Sequence, residues 1–567
     1  MRKSNSTATA EKKITSCLQR RLRAVYPFFL LLLVFVWPGK RGLAQPLFQI
    51  TPKPVTVLEM AKPPVALDAN TVITYSDKFK DQAIYLEEEI TKQCGLSLRT
   101  LPAASFKQGS AIQLVDDHTA SISKEEMYRL QAGGKQVSIR AKTVRGMVNG
   151  IQTLLQLLPL EKTAAFTVPA CSIIDYPRFA YRGMHLDVVR HLFPVSYIKK
   201  YIDYLTFHKF NTFHWHLTDD QGWRIEILSY PKLNSIGSWR DSTLIGHFFD
   251  TPVRYDKQRY GGYYTRDEVK EIIPYATIRG ITIIPEIDIP GHNRATIAAY
   301  PEFSTDPTAK WDVAYTWGMF NRQNNVLAPS PATFAFLKKV FQEVADLFPS
   351  PYIHLGGDEC SKMWWKQTPF VQTFIRDNDL KDETGLQTYF IEQVSRYLKE
   401  KNKKVIGWHE IMEGKPDKST IVMNWSNDAK ALEAAEKGYS VIMTPGNMYY
   451  LNQAQSKDPA DSLSARGYIP LEAVYKYDPV PAALVKKGLS NKILGGQGNV
   501  WTEYIATTTK VDYMIFPRMT ALSEVLWTPA DQKNYTDFIK RLKENMIPRY
   551  KSWNSSWFPG FEKWKAD

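Results

Sequence analysis

A (β/α)₈ barrel preceded by a smaller α+β domain is the fold class this sequence predicts, and three observations predict it. Apolar strand-like segments alternate with helical patterns over residues 178–530, and eight such strands can be counted. The segment before them, 45–175, mixes half-buried strands with two helical stretches. Polar and aromatic residues gather just past the barrel strands, at the end where barrels of this type place their chemistry.

Composition sets the outer limits. At 567 residues the chain is too long for one small domain, and with 44% hydrophobic and 23% charged residues it is ordinary for a globular protein. The net charge of +14 is unevenly spread: residues 1–44 carry nine Lys or Arg against Glu11, which leaves +6 for the rest. Outside that segment no basic run occurs, so nucleic acid is not an expected partner. Within it, basic residues up to Arg23 precede an apolar run, 24–37, and a short linker ends at Leu43-Ala44 before Gln45. That is the pattern of a cleaved signal peptide, with an apolar run too short for a comfortable membrane span. The mature protein is therefore expected to be exported, periplasmic or extracellular, and without a transmembrane span. Beyond Cys17 only Cys94, Cys171 and Cys360 remain; their spacing makes no zinc motif and permits one disulfide at most.

In the first domain, 55–58 and 71–75 read as strands, 80–92 as a helix, and 111–115 and 136–140 alternate like half-buried strands. Ile151, Leu154, Leu155 and Leu158 then recur at helical spacing. A supporting role is expected for it. Tyr176-Pro177-Arg178 marks the boundary. The barrel strands are expected at 182–188, 212–217, 281–287, 352–355, 404–408, 421–425, 440–444 and 493–501. Between them, Ile198, Tyr201, Ile202 and Leu205 form one helical stripe. Thr265-Arg-Asp-Glu268 is a capping box, and Ser330-Pro331 opens another helix. In the tail, 531–567, Ile539, Leu542 and Met546 suit a closing helix.

The central stretch is Tyr352-Ile-His-Leu-Gly-Gly-Asp358-Glu359. An apolar strand runs into two glycines, which let another group approach the backbone, and then into two adjacent carboxylates. Neighbours on an extended chain point opposite ways, so Asp358 and Glu359 are expected to differ in direction and role. Other strand ends carry Arg190 and His191, Asp219 and Asp220, Asp288 and His292, Trp408 and Glu410, Trp425, Tyr449 and Tyr450, and Trp501 and Glu503. Carboxylates, an arginine and several indoles on one rim suit a sugar: aromatic faces cover the ring and charged groups hold hydroxyls.

These motifs resemble family 20 glycoside hydrolases, the β-N-acetylhexosaminidases. The resemblance rests on His354-Leu-Gly-Gly-Asp-Glu359, Asp187-Val-Val-Arg-His191, His214-Trp-His-Leu-Thr-Asp-Asp-Gln-Gly-Trp-Arg224, Asp288-Ile-Pro-Gly-His292 and Trp501-Thr-Glu503, and it covers nearly the whole mature chain. It implies exo-acting removal of terminal β-linked GlcNAc or GalNAc by a retaining, substrate-assisted mechanism, one of the exceptions to the two-carboxylate scheme. Glu359 would be the general acid and then the base. Asp358 would hold the acetamide N–H while the acetamide oxygen attacks C1. Chemically this calls for a Glu359 with a raised pKa beside an ionised Asp358.

The resemblance implies further roles. Arg190 and Asp219 would bind hydroxyls of the terminal sugar. Trp408, Trp425 and Trp501 would wall the acetamide pocket. Tyr450 would donate to the acetamide oxygen and Glu503 would bind outer hydroxyls. Asp288 and His292 would form a relay to Glu359. Asn452 stands where many members of the family have Asp, which leaves the choice among GlcNAc, GalNAc and charged sugars open. The resemblance calls for no cofactor and no metal, and for a glycan partner. Two other readings remain: a metal-dependent barrel hydrolase using His214, His216 and Asp358, and a glycan-binding protein without catalysis.

Overall fold

The computed structural model describes residues 48–458 and 461–560. The expected signal segment, 1–44, lies outside the described residues.

Eight parallel strands close into a barrel in chain order: β1 (Tyr181–Asp187), β2 (Thr212–His216), β3 (Thr282–Glu286), β4 (Tyr352–His354), β5 (Lys404–Trp408), β6 (Ile421–Asn424), β7 (Ser440–Met443) and β8 (Ile493–Gly498). β8 returns to β1 with Gly183 opposite Gln497. Each expected strand is present. Most stop a little earlier than the apolar runs do, because the chain there leaves the ladder to become the rim.

Helices cover the outside: α1 (Val195–Phe207), α2 (Arg266–Ile278), α3 (Pro331–Leu347), α4 (Glu383–Glu400) and α5 (Asp428–Glu436). Thr265 and Glu268 form the capping box at the start of α2, and Ser330 Oγ accepts from Thr333 N at the start of α3. These caps satisfy backbone donors that the helix cannot use itself. The alternation breaks once. Between β5 and β6 a 3₁₀ turn, His409–Gly414, takes the place of a helix and brings Ile411 under the Gly356-Gly357 turn.

Inside the barrel, Ile284, Ile406, Ile421, Met423 and Ile442 pack into an apolar cluster. Nearer the strands' C-terminal ends the filling turns polar. The register aligns Asp187, His216, Glu286 and His354 across four neighbouring strands, and all four are fully buried.

The smaller domain is a seven-stranded mixed sheet, with Thr56–Glu59 and Arg99–Pro102 at its edges. Helices Lys80–Cys94 and Val144–Leu157 cover it. The second of these is buried over most of its circumference because the barrel lies on its other side. Charged groups lock the two domains. Arg182 pairs with Glu126, Asn211 Nδ2 donates to Glu126 Oε1 at 2.8 Å, and Lys209 Nζ donates to Asp175 Oδ2 at 2.8 Å. Removing one partner of so buried a pair costs about 3–5 kcal/mol. The tail helix Tyr535–Arg541 runs on to Ser552, and Arg541 binds Glu524 through two hydrogen bonds of 2.7 Å. Cys94, Cys171 and Cys360 are buried free thiols. No helix among the described residues is long and apolar enough to cross a membrane.

Candidate active site

β4 stops at His354, and the chain then turns sharply: φ is 65° at Gly356, 90° at Gly357 and 43° at Glu359. Only glycine fits the first position. A Cβ there would stand 1.7 Å from Asp288 Oδ1, and Gly357 N donates to that same oxygen at 3.0 Å. The expectation that Asp358 and Glu359 diverge because they lie on extended chain is therefore corrected. Left-handed turn geometry, which costs a non-glycine residue roughly 1 kcal/mol or more, sets their directions.

The two carboxylates share one neighbour. His292 Nε2 lies 3.7 Å from Asp358 Oδ2 and 3.6 Å from Glu359 Oε2. On its other side His292 Nδ1 donates to Asp219 Oδ1 at 3.0 Å and Asp220 Oδ2 at 3.2 Å. The expected relay from Asp288 through His292 is thus replaced by one from Asp219 and Asp220. Asp288 instead holds the Gly356-Gly357 turn. Burial opposes a charge on His292, but Asp219, Asp220 and Glu359 outweigh it and raise its pKa well above the usual histidine value.

The expected order of the two acids is reversed. Burial first, and then Glu410 and Glu359, push Asp358 up to about 7. The His292 ring holds Glu359 below the ordinary glutamate value. Asp358 Oδ1 is buried with no hydrogen-bond partner, whereas the Glu359 side chain is 47% exposed. One acid is enclosed and unsatisfied, the other reaches the opening.

Arg190 is gripped from three sides: Nη2 by Asp219 at 2.8 Å, Nη1 by Asp187 at 3.3 Å, and Nε donates to Gln221 Oε1 at 2.8 Å. Its guanidinium lies 5.3 Å from the Trp501 ring centre. Asp219 is fully engaged, since it also meets His216 Nε2 at 3.0 Å. Its oxygens are used to position Arg190 and His292, so it is less free for sugar hydroxyls than the sequence reading expected. Glu503 lies near Arg190; burial raises its pKa while Arg190 opposes the shift, and Glu503 Oε2 is buried without a partner.

The aromatic residues do assemble. Trp501 lies 5.9 Å from Trp408 and 6.4 Å from Tyr450, and Trp425 lies 6.4 Å from Tyr450, between ring centres. Trp408 Nε1 donates to Glu286 Oε1 at 2.9 Å, and Trp425 Nε1 to Glu410 at 3.1 Å. Asn452 is buried beside them in sequence, with Oδ1 lacking a partner. Unsatisfied buried oxygens at Asp358, Asn452 and Glu503 mark where a polar ligand gains most.

His214 and His216 both lie on β2, which ends at His216. Their nitrogens face Glu286 Oε2, His214 Nε2 at 3.0 Å and His216 Nδ1 at 2.5 Å. Close His and carboxylate groups include His214 with Glu286 and His354, and His185 with His216 and Glu286. Asp358 lies instead with Asp288 and His292, so the His214–His216–Asp358 ligand set of the rival metal-dependent reading is not assembled. Sequence reasoning placed Asp220 and Glu410 on the rim without giving them a role, and passed over Glu286 and Gln221. For Glu286 a signal existed: one carboxylate inside the apolar run 281–287.

The model of the glycosyl hydrolase family 20 catalytic domain matches residues 179–530, and that of family 20 domain 2 matches 47–176. A β-hexosaminidase of Porphyromonas gingivalis is 40% identical over 500 residues, 87% of this chain and 62% of that protein. One of Vibrio furnissii is 40% identical over 402 residues, 70% of this chain and 65% of that protein. The chain thus spans somewhat under two thirds of each. Among solved structures, the exo-β-N-acetylglucosaminidase of Vibrio harveyi in complex with N-acetylglucosamine superposes with a TM-score of 0.80 at 33% identity, covering 90% of this chain and 78% of that one. The β-N-acetylhexosaminidase of Bacteroides fragilis gives 0.76 at 30% identity, covering 91% and 99%.

Proposed function

The chain belongs to glycosyl hydrolase family 20, and from that premise we propose that it is an exo-acting β-N-acetylhexosaminidase. It removes terminal non-reducing β-linked GlcNAc or GalNAc from glycans or chitooligosaccharides with retention of configuration. One observation carries the reading: Asp358, with one carboxylate oxygen enclosed and without a partner, stands in the turn beside an accessible Glu359, next to the cluster of Trp408, Trp425, Trp501 and Tyr450.

The chemistry follows from that arrangement. The terminal sugar places its 2-acetamido group between the indoles. Its N–H donates to Asp358, which turns the carbonyl oxygen toward C1. Tyr450 donates to that oxygen and sets its angle of approach. Attack on C1 and departure of the glycosidic oxygen are concerted with proton delivery from Glu359. An oxazolinium ring forms, and the ionised Asp358 balances its charge. Glu359, now a carboxylate, takes a proton from water as the water opens the ring, so C1 is inverted twice. Because the nucleophile is part of the substrate, orientation is a large share of the rate; well-placed intramolecular reactions reach effective molarities of about 10⁵–10⁸ M. His292, cationic between Asp219 and the acid pair, stabilises the carboxylate that Glu359 becomes. Arg190 and Glu503 hold ring and outer hydroxyls.

The N-terminal pattern supports export by a cleaved signal peptide, into the periplasm or medium; N-terminal sequencing of the secreted protein tests this. The activity is tested by NMR of the first-formed anomer from an aryl β-N-acetylglucosaminide. The β-anomer is expected first. An initial α-anomer, or no turnover, refutes the reading.

A further inference from the structure

Glu286 sits on β3 inside the barrel, fully buried. The nearby interior shows that isoleucine and methionine can fill this space. A lone carboxylate there would cost several kcal/mol, so its partners matter. Trp408 Nε1 and His354 Nδ1 meet Oε1 at 2.9 and 3.0 Å, and His214 Nε2 and His216 Nδ1 meet Oε2 at 3.0 and 2.5 Å. His216 is the outlet. Its Nδ1 faces Glu286 and its Nε2 faces Asp219 Oδ2 at 3.0 Å. A ring with a carboxylate on each nitrogen is held as an imidazolium, donating both ways. Burial opposes that charge, but Glu286 and Asp219 overcome it and raise the ring to about 10. Asp219 in turn binds His292 Nδ1 at 3.0 Å, and His292 Nε2 faces Glu359 at 3.6 Å. A continuous chain therefore joins the barrel interior to the accessible acid.

We propose that Glu286 is a positioning residue for proton transfer: through His216 it fixes Asp219, and through Asp219 it fixes His292 opposite Glu359. The chain works by direction rather than by carrying protons. Without the Glu286 charge, His216 loses the partner that fixes its tilt and protonation. Asp219 then loses one of the donors that orient it, leaving Arg190 to set its angle, and the His292 ring, still held by Asp220, shifts relative to Glu359. The inference rests on the role of Glu359 given under Proposed function.

The test is Glu286→Gln, which keeps the volume and leaves an acceptor for Trp408 Nε1. Wild type and variant are compared on two β-GlcNAc substrates, a dinitrophenyl glycoside, whose leaving group needs no proton, and chitobiose, whose sugar leaving group does. A general acid is worth about 10²- to 10⁴-fold and a residue that only positions it less; a loss of about 10- to 100-fold in kcat is expected on chitobiose, with less than about 3-fold on the aryl glycoside. Equal losses on both substrates, or none on either, overturn the proposal. A merely structural role lowers thermal stability without splitting the two substrates. His216→Gln is read the same way if Glu286→Gln does not fold. A second readout does not depend on turnover: the ¹⁵N signals of the His292 ring shift in the variant, and unchanged signals overturn the coupling. Wild-type protein inert on both glycosides refutes the hydrolase reading, while the NMR arm still decides the coupling.

Discussion

Asp358 and Glu359 between them hold one proton over much of the acid-to-neutral range, and the surrounding groups put it on the wrong partner. Burial, with Glu410 and Glu359, holds Asp358 at about 7, and His292 keeps Glu359 below its ordinary value. Catalysis needs the reverse, an ionised Asp358 and a protonated Glu359. Relative to the ~3.9 of an aspartate in water, ionising Asp358 here costs roughly 4 kcal/mol. A hydrogen bond to a charged group returns about 1.5–3 kcal/mol, so the acetamide N–H offsets a large part of that cost and biases the proton from Asp358 toward Glu359. Substrates lacking that N–H leave it where it is useless. The quantity kcat/KM reports the free enzyme. Its basic limb is expected at about pH 7, where the pair loses its last proton. In Asp358→Asn only Glu359 still titrates, and the limb moves to the acid side of the ordinary glutamate range, a shift of more than about two pH units. The direction follows from the sign: Glu359 must be protonated to act, and its folded-state pKa is lowered, so activity is lost as pH rises through it. Initial rates on a chromogenic β-N-acetylglucosaminide across the pH range measure both limbs. A variant whose basic limb stays near neutrality, or a wild type whose limb already lies in the glutamate range, refutes the argument.

Glu359→Gln is expected to lose about 10²- to 10⁴-fold in kcat on chitobiose while product affinity changes only a few-fold; near-wild-type turnover in steady-state assays removes it as the acid. Replacing the 2-acetamido group by hydroxyl should cost at least about 10³-fold in kcat/KM, and comparable cleavage of the β-glucoside points to a protein nucleophile. Gly356→Ala drives a Cβ against Asp288 at a left-handed position; a loss on the order of 2–4 kcal/mol in denaturant unfolding and a kcat lowered by about 10²-fold are expected, and an unchanged midpoint with full activity contradicts the close approach. Dialysis against a chelator should leave turnover unaltered, and a loss restored by one added cation would revive the metal-dependent reading.

Much of the barrel was legible because its cues are local. Apolar runs such as 281–287 and 404–408, the capping box at Thr265 and the Ser330-Pro331 helix start depend on residues within a few positions of one another. The rim residues were legible for the same reason, since each motif stands directly after its strand. The missing helix between β5 and β6 was not, because a 3₁₀ turn of six residues leaves no helical period to read.

What the sequence determined by itself, then, is which groups stand at the strand ends: an acid pair after two glycines, an arginine, a histidine and the indoles. Only the closed barrel decided how they work. It placed His292 between Asp219 and the acid pair, gave Asp288 to the turn, and set the pKa of Asp358 above that of Glu359. The reason is physical: hydrogen-bond partners and burial depend on residues tens to hundreds of positions apart, such as Glu286 and Trp408, 122 residues apart. A pKa is set by burial and by neighbours brought in from distant parts of the chain, and no local pattern contains them.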